Sequence, residues 1–112
     1  DSLTPRLTSI HDARGLSPAA SLQTHGFEIR SWSSKCRDFR DDREVLRCYY
    51  AEMRTLLAEA FGADQVLIFD HAVRSAGGKK MPGDQDPVER VHCDYTETSG
   101  PLQVSRLAEL GV

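Results

Sequence analysis

Two side chains with metal-donor chemistry stand one residue apart in the stretch Val91-His92-Cys93-Asp94-Tyr95-Thr96. On a strand, residues i and i+2 point to the same face, so His92 and Asp94 would present an imidazole and a carboxylate toward one point. These are two of the three ligands of a 2-His-1-carboxylate facial triad, which leaves positions open on Fe(II) for a cosubstrate and oxygen. The third ligand of such a triad is a distant His. The competing reading is a surface histidine beside a solvated aspartate, because a His-x-Asp tripeptide arises by chance in many chains. Context favours the metal reading: the tripeptide follows a Gly-rich loop and a β-type stretch, and a polar turn comes next.

His71 ends an apolar run as Phe69-Asp70-His71. It reads either as a hydrogen-bonded strand-end histidine or as a pocket residue on a strand next to the metal strand. Arg74 has a planar fork suited to the carboxylate of a substrate or cosubstrate. An ion pair with Asp70 or Asp94 is the structural alternative. His11 and His25 suit turn and packing roles. Cys93 would point away from His92 on a strand, which excludes a Cys/His nucleophilic pair and suits a packed thiol. No nucleophile elbow supports a catalytic serine.

These residues need elements to position them. The strongest is a helix over residues 42–61, whose apolar set Val45, Leu46, Tyr49, Met53, Leu56, Leu57, Ala60 and Phe61 forms one stripe, with Tyr50 at its edge. Asp41 can cap it, with Glu44 reaching back in a capping box, and Gly62 suits its left-handed end. Strands are predicted over residues 7–10, 27–32, 65–70 and 88–93. The third of these is continuous enough in apolar residues to imply burial on both faces. Residues 76–84, rich in Gly, read as an exposed loop, and a short helix fits residues 102–110.

Composition bounds the class. The chain has 112 residues, 39% hydrophobic and 28% charged, enough for one soluble domain over residues 1–112 with one modest core. No run approaches the ~20 apolar residues of a membrane helix. The net charge is -3, and Arg37, Arg40, Arg43 and Arg47 are interspersed with Asp38, Asp41, Asp42 and Glu44, so a nucleic-acid footprint is excluded. Three cysteines without a CxxC pair argue against a disulfide scaffold or zinc knuckle and for reduced thiols in a cytoplasmic protein. The chain opens on Asp1 rather than Met and stops at Val112 just after a helix-like segment, which reads as the N-terminal part of a longer enzyme.

Several blocks together resemble one family. They are Ile10-His11-Asp12-Ala13-Arg14-Gly15, His25-Gly26-Phe27-Glu28, Tyr49-Tyr50-Ala51-Glu52, Gly62-Ala63-Asp64-Gln65-Val66, Phe69-Asp70-His71-Ala72-Val73-Arg74, and Pro87-Val88 through Arg90-Val91-His92-Cys93-Asp94-Tyr95-Thr96. In this order they resemble the AsaB-like hydroxylase/desaturase family of fungal secondary metabolism, a group of CmcJ- and NvfI-like non-haem iron oxygenases. The resemblance implies an α+β fold: part of a double-stranded β-helix (jelly-roll or cupin-like) oxygenase core with the long amphipathic helix packed on the sheet. It implies Fe(II) and 2-oxoglutarate as cofactors and oxidation of a small-molecule substrate, with a homodimer allowed. Carried over, His92 and Asp94 match the metal pair and so the catalytic centre. Arg74 is the expected cosubstrate-binding residue, and His71 and Tyr95 are expected to bind substrate. The third ligand and the basic residue that would hold the 2-oxoglutarate carboxylate are expected outside this chain. The rivals are a truncated, non-catalytic binding module and a metal-dependent hydrolase or isomerase on a cupin-like barrel.

Overall fold

A computed structural model describes residues 3–78 and 80–111. The chain divides into two compact units, Asp1–Ser33 and Ser34–Val112. In the first, Asp12 opens a 3-10 turn, Ala13–Gly15, by accepting the Arg14 N–H at 2.9 Å. Ser21 caps a one-turn helix, α1 (Leu22–His25), which Gly26 ends at φ 77°. The His25 ring lies 2.7 Å from the Thr24 hydroxyl and edge-on to Phe27, the turn and packing role its setting predicts.

The second unit is built on the predicted helix. It runs without a break through α2 (Asp42–Glu44), a π turn (Val45–Tyr49) and α3 (Tyr50–Phe61). Asp41 accepts the N–H groups of Arg43 and Glu44 at 3.0 and 3.4 Å, and Gly62 closes the far end at φ 61°. Glu44 does not complete a capping box. Its carboxylate accepts the N–H groups of Arg37 and Asp38 instead, and the Asp41 N–H goes to the Asp38 carbonyl.

The π turn shifts the helix face by one residue. The Tyr50 N–H donates to the Val45 carbonyl, five residues back. A regular helix turns about 100° per residue and would carry residue i+5 roughly 140° round from residue i. The wider turn swings the two back toward one face. Val45 and Tyr50 are therefore both buried, while Leu46, expected in the stripe, is 54% exposed. Tyr49, expected at the centre, is half-buried and meets Phe39 edge-on at 5.0 Å. The core is the cluster of Cys36, Val45 and Tyr50, with Cys48, Tyr49 and Ile68 packed on it. Burial pushes the Cys36 thiol up; Glu52, accepting the Cys48 S–H at 3.3 Å, does the same to Cys48. Neither is a ready nucleophile.

The jelly-roll expectation is overturned. Among the described residues there is no β-strand, only an isolated bridge between Arg74 and Gln85, so no sheet underlies the helix. The physical reason is the absence of a ladder partner. Residues 65–70 alternate as a strand would, with Val66 and Ile68 half-buried and Leu67 and Phe69 exposed, but no neighbouring backbone pairs with them. Burial on both faces is thereby corrected to burial on one. Residues 7–10, 27–32 and 88–93 likewise have no ladder.

Three ties arrange the rest of the unit. The Tyr50 hydroxyl lies 2.7 Å from His71 Nδ1, and His71 Nε2 lies 3.3 Å from Asp42 Oδ1. A carboxylate can only accept, so Nε2 carries the ring proton and Nδ1 accepts from the phenol. Burial and the nearby Asp70 and Asp42 carboxylates push the Tyr50 phenol up, which keeps it a donor. The second tie is a forked ion pair. Arg40 Nε reaches the two Asp84 oxygens at 3.0 and 3.3 Å, and Nη2 reaches Oδ2 at 3.0 Å. The Asp84 side chain is 1% exposed and also accepts the Met81 N–H, closing the loop tip. The third tie is at the loop's base, where Ser75 N–H meets the Gln85 carbonyl and Gln85 N–H meets the Val73 carbonyl. Lys79 of the predicted loop lies outside the described residues. The last helix, α4 (Ser99–Glu109), starts three residues before its expected limit. Thr96 Oγ1 accepts the Thr98 and Ser99 N–H groups, and Ser99 Oγ accepts the Thr96 N–H in return.

Tyr50→Phe removes the donor to His71 Nδ1 and is expected to cost about 1 kcal/mol in urea denaturation. An unchanged midpoint would show that this bond ties nothing. The Arg40 guanidinium holds the Asp84 carboxyl below its usual range. A lowered folded-state value gives stability that is present above the ordinary carboxylate range and lost as pH falls through the folded value. The melting temperature of wild type should therefore drop steeply below about pH 4. Asp84→Asn should start lower and fall less steeply there; parallel curves would exclude the pair as a source of acid sensitivity.

Candidate functional site

Residues 91–95 have no helical or ladder hydrogen bonding, and His92 is held by local chemistry. Its Nδ1 lies 2.8 Å from the Arg90 carbonyl. A carbonyl only accepts, so Nδ1 carries a proton and Nε2 is the ring nitrogen left to face other partners. Nε2 lies 3.2 Å from Asp94 Oδ1. That separation suits either an N–H donated to the carboxylate or a cation held between the two groups. Adjacent ligands of a divalent first-row metal, each about 2.1 Å from it, stand about 3 Å apart. The pair therefore fits two neighbouring corners of a metal's coordination shell. A backbone carbonyl on the other ring nitrogen is the arrangement that orients ligating histidines. The side chains are 50% and 77% exposed, which leaves the remaining coordination directions open. Among the described residues no group of three or more His, Cys, Asp or Glu could hold a metal, so this site offers two donors.

His92 lines an open cleft of about 890 Å³. Ala76, Gly77, Pro87 and Val88 give it apolar wall, and Lys80, Asp86, Glu89 and Arg90 give it charge. Lys80 is committed to Asp86 at 2.8 Å.

The other expected site residues lie elsewhere. His71, bound to Tyr50 and Asp42, borders a separate cleft of about 310 Å³ with Arg40, Asp70 and Asp84. Tyr95 lines an apolar groove of about 480 Å³ with Leu67, Phe69, Val104 and Leu107. Arg74 pairs with neither Asp70 nor Asp94; its Nη1 donates to the Asp86 carbonyl at 2.7 Å. That bond fastens the segment leading into the wall of the His92 cleft. Cys93, expected to be packed, is exposed. The structure thus brings His92 and Asp94 together and leaves His71, Tyr95 and Arg74 in three other settings.

Sequence reasoning missed Tyr50 and Asp42 as the partners of His71. The regular helical period placed Tyr50 at the edge, and no residue pattern announced the π turn. It also passed over Arg90, although the i, i+2 spacing to His92 is the separation at which a carbonyl can hold an imidazole on extended backbone.

Comparison with known proteins agrees with the resemblance read from the residue blocks. The family described as an oxidoreductase/YMDC permease-like domain matches residues 2–110. An oxidoreductase of Emericella nidulans is 33% identical over 78% of this chain and 32% of its own length. The alpha-ketoglutarate-dependent dioxygenase phiK of a fungal species is 32% identical over 65% of this chain and 29% of its own. The hydroxylase/desaturase efuI of Hormonema carpetanum is 28% identical over 89% of this chain and 38% of its own. The chain thus spans about a third of the length of these relatives. No solved structure matches it. Among the described residues no helix is long and apolar enough to cross a membrane. With the match running over nearly every residue, the chain belongs to the oxidoreductase/YMDC permease-like domain family.

Proposed function

We propose that this chain is the metal-binding part of an Fe(II)- and 2-oxoglutarate-dependent oxygenase that hydroxylates or desaturates a small organic metabolite, with His92 and Asp94 as two of the iron ligands. The observation that carries the reading is the 3.2 Å approach of His92 Nε2 to Asp94 Oδ1, with Nδ1 occupied by the Arg90 carbonyl. The names of two relatives, an alpha-ketoglutarate-dependent dioxygenase and a hydroxylase/desaturase, support the chemistry. The reading requires a third donor that the described residues do not supply at this site.

Ferrous iron held there would let dioxygen act as the oxidant, with the 2-oxo acid as co-reductant, to break an unactivated C–H bond. The chain's own residues do the rest. The Arg90 carbonyl fixes the ring and leaves Nε2 as the nitrogen that would hold an ion. Asp94 supplies a negative charge and a second corner. Ala76, Gly77, Pro87 and Val88 give an apolar wall on which a hydrocarbon portion of substrate can lie against His92. Arg74, through the Asp86 carbonyl, keeps that wall in place.

Anaerobic Fe(II) titration of wild type, His92→Ala and Asp94→Ala tests the reading. Each substitution removes one of the two donors and should weaken binding by at least about tenfold, ~1.4 kcal/mol. Equal affinity in all three proteins would dispose of the site and leave a non-catalytic binding module as the better account.

A further inference from the structure

We propose that Cys36 and Cys48 form an oxidation site, at which a peroxide joins their sulfurs in an intrachain disulfide that fastens residues 35–38 to the helix they lie against. The proposal is independent of the metal reading, since neither cysteine borders the His92 cleft.

Register brings the two thiols together. Residues 35–38 run along the helix against its direction, held by two of its glutamates. Glu52 Oε1 accepts the Lys35 N–H at 2.8 Å, while Glu44 accepts the N–H groups of Arg37 and Asp38. Cys36 thus lies between the two held points of the segment. Cys48 lies midway between the two glutamates, four residues from each, on the helix face that they share. Its own hydrogen bond agrees with that placement. The Cys48 S–H donates at 3.3 Å to Glu52 Oε1, the same oxygen that holds the N–H of Lys35, the residue beside Cys36. Cys48 also packs on the buried cluster to which Cys36 belongs. Burial first, then the Glu44 and Glu52 carboxylates, push the Cys36 thiol up. The Glu52 hydrogen bond first, then burial and the charges of Glu52, Cys36 and Glu44, push the Cys48 thiol up. Two thiols that answer to the same two carboxylates are neighbours, and those carboxylates keep the resting pair reduced and slow to react.

Cys36 is buried and Cys48 is half-buried, so a peroxide meets Cys48 first. Its sulfur takes one peroxide oxygen: an S–O bond forms, the O–O bond breaks, and the thiol proton leaves in the first water. The Cys36 sulfur then attacks this sulfenic sulfur. The S–S bond forms, the S–O bond breaks, and the second thiol proton leaves in a second water. Two thiols are oxidised and one peroxide is reduced to water. Closing residues 36–48 into a loop restricts the unfolded chain and so favours the folded one. The bond would also fall within the π turn, Val45–Tyr49, whose wide hydrogen bond sets the burial of Tyr50.

The test uses the full chain carrying Cys93→Ser, so that this exposed thiol cannot join two molecules, treated with hydrogen peroxide in the presence of a metal chelator. Trypsin cuts after Lys35, Arg37, Arg47 and Arg54. Mass spectrometry should then find the peptide Cys36-Arg37 joined to the peptide Cys48–Arg54, lighter by two hydrogens than the separate peptides and parted by dithiothreitol. The oxidised protein should melt at least about 5 °C above the reduced one, a rise that Cys36→Ala and Cys48→Ala in the same background should abolish. Glu52→Gln keeps an acceptor for the Lys35 N–H and removes a charge beside both thiols, so the linked form should appear at least about threefold faster. A linked peptide that forms only in urea, or thiols oxidised singly to sulfinic acid without linking, would overturn the proposal. A rate unchanged in Glu52→Gln would overturn the part given to Glu52 in keeping the pair reduced.

Discussion

A phenol buried on a helix must find a hydrogen-bond acceptor, and the route of the chain after the helix follows from where Tyr50 finds one. The π turn carries Tyr50 to the same face as Val45, and its hydroxyl meets His71 Nδ1. With His71 held there, the preceding residues run extended against the helix. Ile68 then reaches the core while Leu67 and Phe69 point outward. The following residues reach the Arg74–Gln85 bridge, where the loop closes on itself and Arg40 grips Asp84 at its tip. From the base of that loop, Arg74 holds the Asp86 carbonyl, and the chain passes into the wall of the His92 cleft. The path from buried phenol to candidate site is a series of hydrogen bonds, with little apolar burial to back it.

That balance explains which elements could be read from the residues. The helix over 42–61 was legible because its determinants are local: Asp41 caps the first turn, Gly62 takes a left-handed φ, and apolar residues recur at the right interval. The π turn was not legible. One residue's slip changes which of Tyr49 and Tyr50 is buried without altering the amino-acid pattern that a 3.6-residue period would score. The strands failed for a different reason. The continuous apolar run Val66-Leu67-Ile68-Phe69 reports an extended backbone, which is present, but not that only one of its faces packs. It carries no information on whether another backbone lies alongside to complete a ladder. A sheet is a property of at least two segments, and each of these segments is alone among the described residues.

The same distinction between local and distant determinants runs through the site. His92 and Asp94 are two residues apart, so extended backbone suffices to bring an imidazole and a carboxylate together, and no sheet is needed. Arg74 and His71 were grouped with them from 18 and 21 residues before His92, and Tyr95 from the position after Asp94, and where each of these side chains goes depends on tertiary packing. Packing sends Arg74 to a backbone carbonyl, His71 to Tyr50 and Tyr95 to an apolar groove. A motif read along the chain therefore identified neighbours in sequence more securely than neighbours in space.

The division of labour between two arginines follows from the same logic. Arg74 sits beside the bridge at the base of a loop, where the backbone of Asp86 passes close and offers an acceptor whose position does not depend on any ligand. A guanidinium satisfied in that way gains little by turning toward an incoming acid, since it would exchange one good hydrogen bond for another and release the cleft wall. Among the described residues the Arg90 guanidinium has no such partner, and its carbonyl is already engaged with the histidine. Commitment, more than residue type or distance along the chain, decides which cation in a cleft is available to bind.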